Sequence, residues 1–317
     1  MSKILTMLFA KRSPSSLNWV GYALCGALIG FVYQAYWGQL IGPSMTTYQW
    51  LIVHWKDISH YSHGPLIPLI AAGLVWWKRQ ELTAVAIRPQ WRGLEVVALA
   101  MALYYAGIKG IEPRTVVISF VMLLYGLVLT LAGREAFRVL FFPISFLFLM
   151  IPLNFLEERV AVPLQHLMAI CSTAVLNAFG IATQRVGTQM YSQMFQFHVD
   201  TPCSGIQSLM ALTTVTAAYA YVTQHKQWKR WLLFLSAIPL AVLGNMARVI
   251  VVAMVAQIYG QKLAMELHDT VAGYIVFGVA LVLMVFFGWL LELPYGRLWS
   301  HSVKPVEPQK DLLRDIP

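Results

Sequence analysis

The stretch WLLFLSAIPLAVLGNMARVIVVAMVAQIYG, residues 231 to 260, constrains the fold more than any other part of the chain. Arg248 is its only charged side chain. About 20 apolar residues in a helix cross the ~30 Å hydrocarbon core of a bilayer. A helix is the form such a run must take in lipid, because every backbone N–H and C=O then finds a partner inside the segment. Further runs of this kind occupy 17 to 40, 93 to 108, 115 to 132, 203 to 223 and 270 to 291. Two shorter runs, 64 to 77 and 139 to 153, are bracketed by charges and extended by apolar flanks. The expected fold class is all-α: a polytopic transmembrane helical bundle of about eight spans.

Composition excludes the soluble alternatives. With 58% hydrophobic and 12% charged residues, the chain is far from a soluble domain, in which charges make up about a quarter. A net charge of +9 raises nucleic acid as a partner. The Lys and Arg, however, sit in short loops between apolar runs, the pattern of membrane orientation signals. No nucleic-acid partner is expected.

The segment EERVAVPLQHLMAICSTAVLNAFG, 157 to 180, is apolar enough to cross but carries Pro163, Gln165, His166, Ser172 and Asn177. Charge parity decides its reading. If the N-terminus is cytoplasmic and 157 to 180 lies at the outer interface or re-enters, 16 of the 23 Lys and Arg fall inside. A full crossing would push HKQWKR, 225 to 230, outside, against the positive-inside rule. The expectation is an outer interfacial or re-entrant helix, with both termini cytoplasmic. The N-terminal 18 residues lack the long h-region and small-x-small site of a cleaved signal. The domain reading is one transmembrane catalytic unit, 1–296, and a short cytoplasmic tail, 297–317.

In this topology VDTPCSGIQSL, 199 to 209, puts Cys203 on the outer side at a helix start. Asp200 or Thr201 suits the cap and Pro202 the first helical position. Unpaired N–H groups and the positive end of the helix dipole favour a thiolate there, the nucleophilic form. Ser204 and Gly205 leave its approach open. The plain alternative is a small packing residue, which is how Cys25 and Cys171 read within their apolar surroundings. No CxxC pair exists, and no structural disulfide is expected.

Arg248 stands 17 residues beyond Trp231, about 26 Å up a helix that enters from the cytoplasm. That is the level of Cys203. Asn245 shares its face, and Gly244 permits close packing. A guanidinium at membrane depth costs at least a few kcal/mol, so it marks a polar cavity and function; snorkelling to the outer headgroups is the alternative. Arginine stays protonated, so a general base must be another residue. Six histidines, His54, His60, His63, His166, His198 and His268, can reach the outer side, and spacing does not choose among them. In HWKDISHYSHGPLIP, 54 to 68, the spacing of three His and one Asp fits no tetrahedral metal signature, so no metal or cofactor is expected. Tyr61, His63 and Gly64 there suit a structural or substrate-gating role at a helix start.

Taken together, YSHGPLIP, CSGIQSL, the NMARV segment with its Arg, and a His shortly before the last helix resemble the exosortase/archaeosortase family of polytopic membrane transpeptidases. The resemblance spans roughly 45 to 292. It implies Cys203 as nucleophile, Arg248 as its partner and His268 as third member. It also implies a substrate class: membrane-anchored secreted proteins whose C-terminal sorting tail has a short Pro-Glu-Pro-type motif, one transmembrane helix and a basic end. The implied reaction cuts that tail through a thioester at the outer face of a bacterial inner membrane. The acceptor stays open between a lipid amine, a glycan and water. Two other classes remain in view, a polytopic transporter and a polysaccharide-export assembly subunit, neither of which needs the thiol.

Overall fold

The computed structural model describes residues 46–56, 61–152, 154–198, 206–267 and 273–293, together with Gly30. In chain order the helices are α1 (Thr47–Lys56), α2 (Leu66–Trp77), α3 (Arg79–Ala84), α4 (Arg92–Lys109), α5 (Pro113–Leu131) and α6 (Arg134–Phe146), the last continued by a 3₁₀ turn, Leu147–Met150. Then come α7 (Asn154–Ala178), the strands β1 (Gln184–Val186), β2 (Gln189–Tyr191) and β3 (Gln196–His198), and α8 (Ile206–Thr223). The last described elements are α9 (Gln227–Tyr259), α10 (Gln261–Leu267) and α11 (Gly273–Glu292). Every apolar run expected from 64 onward is helical over most of its described residues. The first run, 17 to 40, lies outside them apart from Gly30, and so does the tail 297–317.

Among the described residues, four helices are long and apolar enough to cross a membrane: Pro113–Leu131, Arg159–Ala178, Gln227–Tyr259 and Gly273–Glu292. The protein is thus a mostly helical membrane protein. The segment read as interfacial is one continuous helix, α7, in which Met168, Ala169 and Leu176 pack with Val249, Val252, Ala253 and Ala256 of α9. That contact falls on the C-terminal third of α9. Along its earlier part α9 is buried instead against α8 and α11, through Leu212, Leu233, Ala237, Ala241, Ala280 and Met284.

The α9–α11 pair is antiparallel in one unbroken register. Lys229 meets Glu292 at 3.6 Å at one end. A Cβ on Gly288 would stand 3.3 Å from Leu233, and one on Gly244 would stand 3.2 Å from Val276. Small residues let the two backbones approach, and dispersion then supplies what the hydrophobic effect cannot between helices already in lipid.

The α4–α5 pair shows the same principle more severely. A Cβ on Gly126 would lie 2.8 Å from the backbone of Val97, and one on Gly93 2.4 Å from that of Thr130. The hairpin between them is set by local chemistry: Gly110 closes α4, while the Glu112 carboxylate accepts from the Arg114 N–H and Pro113 takes the first position of α5.

The α7 helix ends at Gly180, φ +81°, and the chain enters a three-stranded antiparallel sheet in the order β1-β2-β3. Alternation from Met190 predicts a strand or hairpin, and the sheet fulfils it. Gly187 at φ +66° occupies the first central position of a two-residue turn between Val186 and Gln189, the position a type II′ hairpin reserves for glycine.

Candidate active site

Arg248 comes out of α9 half-buried, and its guanidinium reaches the first residue of α11. Its Cζ and both Nη atoms lie 3.5 to 3.6 Å from the point where a Cβ on Gly273 would stand. Glycine there leaves the planar group room to lie against the helix start. Asn245, one turn earlier on the same face, is 2% exposed. Nineteen residues separate Arg248 from Lys229 of the Lys229–Glu292 ion pair, about 28 Å of helix. That is close to the full hydrocarbon thickness of a bilayer.

Beyond Arg248, the sheet and α10 converge on the C-terminal third of α9. The sheet rests on it through Met190 and Phe195, both buried with Val252, Ala253, Ala256 and Ala264 of α10. Two polar ties fix the sheet's position: Ser192 Oγ donates to Gln257 Oε1 at 3.3 Å, and Gln261 Nε2 donates to the Gln196 carbonyl at 2.8 Å. Cys203, Ser204, Gly205 and His268 lie outside the described residues. The elements beside them in sequence are described: β3 ends five residues before Cys203, α8 begins three after it, α10 ends immediately before His268, and α11 begins five after it.

Tyr61, His63 and Gly64 form a second polar group at the start of α2. Tyr61 is 2% exposed, and its ring stacks on that of His63 with centroids 5.6 Å apart. Gly64 is required by its neighbour: a Cβ there would fall 2.2 Å from the Trp55 indole, whose Nε1 donates to the Met150 carbonyl at 3.2 Å. Burial pulls the His63 imidazole down from the ordinary histidine value of 6.5 to about 4. It is neutral at pH 7 and a poor base, since a general base works best with a pKa near the operating pH.

The sequence matches the Transmembrane exosortase (Exosortase_EpsH) family over residues 55–286. The chain belongs to the transmembrane exosortase family. No curated protein and no solved structure matches it.

For a transmembrane exosortase, the distribution of histidines and cysteines is informative. His54 Nδ1 is hydrogen-bonded to the Trp50 carbonyl of its own helix at 2.9 Å. His166 is exposed on α7. His60 and the side chain of His198 lie outside the described residues, as does Cys25. Cys171 is a free, half-buried thiol within α7. Among the described residues no three His, Cys, Asp or Glu side chains converge as metal ligands. A cavity of about 490 Å³ between α1, α2, α5 and α6 is lined by residues such as Leu51, Val75, Phe120 and Leu147. It contains none of the candidate catalytic residues, and its apolar walls offer no chemistry.

Sequence reasoning missed Gly273, Trp55, Gln257 and Gln261. Gln257 sits near the end of an apolar run and Gln261 just beyond it, and nothing in their spacing announces a tie to a sheet some 65 residues away. Gly273 had a signal: a glycine at the start of an apolar run that must pass close to the only charge of another.

Proposed function

We propose that this chain is a membrane-embedded cysteine peptidase/transpeptidase that removes the C-terminal sorting tail of secreted proteins at the outer face of a bacterial inner membrane and passes the protein to an acceptor. The reading includes about eight spans with both termini cytoplasmic and α7 on the outer side. The packing of Met168, Ala169 and Leu176 of α7 with Val249, Val252, Ala253 and Ala256 in the last third of α9 supports that placement. The observation that carries the proposal is the meeting of the Arg248 guanidinium with the N-terminal end of α11. A fixed cation and the positive end of a helix dipole directed at one spot suit a group that becomes anionic.

In the proposed reaction the Cys203 thiol gives its proton to His268 and the sulfur attacks the peptide carbonyl. A tetrahedral oxyanion forms, held by Arg248 or by N–H groups after Cys203. The C–N bond then breaks, the leaving amine takes the proton from the His268 imidazolium, and a thioester remains for the acceptor to resolve. Arg248 has a second possible task, pairing with an acidic side chain of the motif. Asn245, Ser204, Gly205, Tyr61 and His63 support the site, and Gly64 holds Trp55 in place. The substrate is membrane-anchored, and the acceptor is a lipid amine, a glycan or water.

The test is to co-express the protein with a secreted reporter ending in a short acidic motif, one apolar helix and a basic tail. Wild-type protein should shorten the reporter and Cys203→Ala should not, with a hydroxylamine-sensitive reporter adduct recovered from the wild type. Shortening that survives Cys203→Ala would end the cysteine reading.

A further inference from the structure

The sheet that rests on α9 carries a feature the proposed chemistry does not use. In a type II′ hairpin the residues flanking the turn, Val186 and Gln189, exchange ladder hydrogen bonds. Bonding then alternates along the strand, so Gln184 and Val186 direct their backbone groups toward β2 while Arg185 directs its N–H and C=O away from the sheet. The next outward position, Thr183, confirms the alternation. Its N–H donates to Asn177 Oδ1 at 2.8 Å, and its C=O accepts from Asn177 Nδ2 at 3.1 Å. One side-chain amide thus closes that step of the edge by the two-bond exchange a neighbouring strand would make.

At Arg185 the corresponding pair has no partner among the described residues, and all three β1 residues are exposed. An open edge is a template for an added strand. Arg185 also carries the charge that chooses the guest. Its Nη1 donates to the Gly187 carbonyl at 2.6 Å, which leaves the remaining guanidinium N–H groups for a carboxylate.

We propose that the β1 edge receives an extended segment of the substrate as a fourth strand, paired at Arg185, with an acidic side chain of that segment opposite the guanidinium. This deepens the reading of the chain as an enzyme acting on a tethered peptide and rests on it. Residues directly opposite in a ladder put their side chains on the same face, close enough for a cross-strand ion pair. The sheet continues through β3 toward Cys203 in sequence, so the same element that orients the segment also leads to the proposed nucleophile.

The experiment uses the full-length enzyme in membranes and the acidic-motif reporter. Arg185→Glu should raise KM about tenfold, since it replaces an attractive cross-strand pair with a repulsive one, and should move KM more than kcat. Changing the motif's acidic residue to Lys should restore cleavage by Arg185→Glu while impairing cleavage by wild type. As a check independent of charge, Arg185→Cys placed in a Cys203→Ser protein should form a disulfide with single cysteines along the motif. Yields should alternate with a two-residue period. Wild-type KM in Arg185→Glu, no rescue by the charge swap, or crosslinking without alternation would overturn the proposal. Cleavage that persists in Cys203→Ala would instead overturn the cysteine-peptidase reading itself, so the two failures are distinguishable.

Discussion

Two antiparallel helix pairs in this chain, α4 with α5 and α9 with α11, use glycine for different ends. In the first, Gly93 and Gly126 are demanded by backbone: an added Cβ would stand 2.4 and 2.8 Å from main-chain nitrogen atoms of the facing helix. Neither backbone can move without separating the pair along its length. In the second, the contact loosens toward one end. Gly244 faces the Val276 side chain at 3.2 Å, and Gly273 faces only the tip of Arg248 at 3.5 to 3.6 Å. The first pair is packing alone. The second has traded its closest contact for a cation held against the start of α11, which is what a site for developing negative charge requires.

The sharpest way to break this contrast is at the guanidinium. Arg248→Ala should lower reporter cleavage by about 10²- to 10³-fold while the thermal transition of the purified protein stays near wild type. Arg248→Lys should fail to restore activity, because a point charge does not reproduce the planar fork. Loss of activity in proportion to loss of folded protein would place Arg248 with the packing residues instead. The reciprocal experiment is Gly126→Leu, which should destabilise by about 1–3 kcal/mol through overpacking. It should reduce the yield of monodisperse protein, yet each folded molecule should cleave at the wild-type rate.

A smaller effect tests the other polar group. His63 has its pKa lowered by burial to about 4, so the unfolded chain takes up a proton there before the folded one does. The contribution of His63 to stability is therefore complete above about 6.5 and is lost as pH falls from 6.5 through 4. A thermal-shift series over that range should show wild type weakening and His63→Phe weakening less. Gly273→Ala should do least of all. Its added methyl makes an ordinary contact with the guanidinium, so folding should be unchanged and cleavage should stay within a few-fold. A collapse of activity would mean that Arg248 has less room than the 3.5 Å approach implies.

Much of the architecture was legible because lipid leaves a chain few options. A backbone without water must satisfy its own hydrogen bonds, so each long apolar run in the described residues is a helix. The unbroken helix Gln227–Tyr259 carries Arg248 as its lone charge between Trp231 and Tyr259, as the apolar run implied. The strand near Met190 was legible too, from alternation. The α1 helix was not expected, since His54, Lys56 and Asp57 make its surroundings read as loop. The clamp of Trp55 over Gly64 escaped notice because Met150, its third partner, lies nearly a hundred residues away.

The sequence by itself determined the class of the molecule, its helices, and the place of Arg248 along α9, since composition, span length and helical rise are local properties. The tertiary structure decided which helix start that cation would meet. It also decided that two glutamines would tie the sheet to α9 and α10, and which amide of β1 would be left open. Those choices depend on the register between segments distant in the chain, and register is set by shape complementarity of packed surfaces, which no single segment encodes.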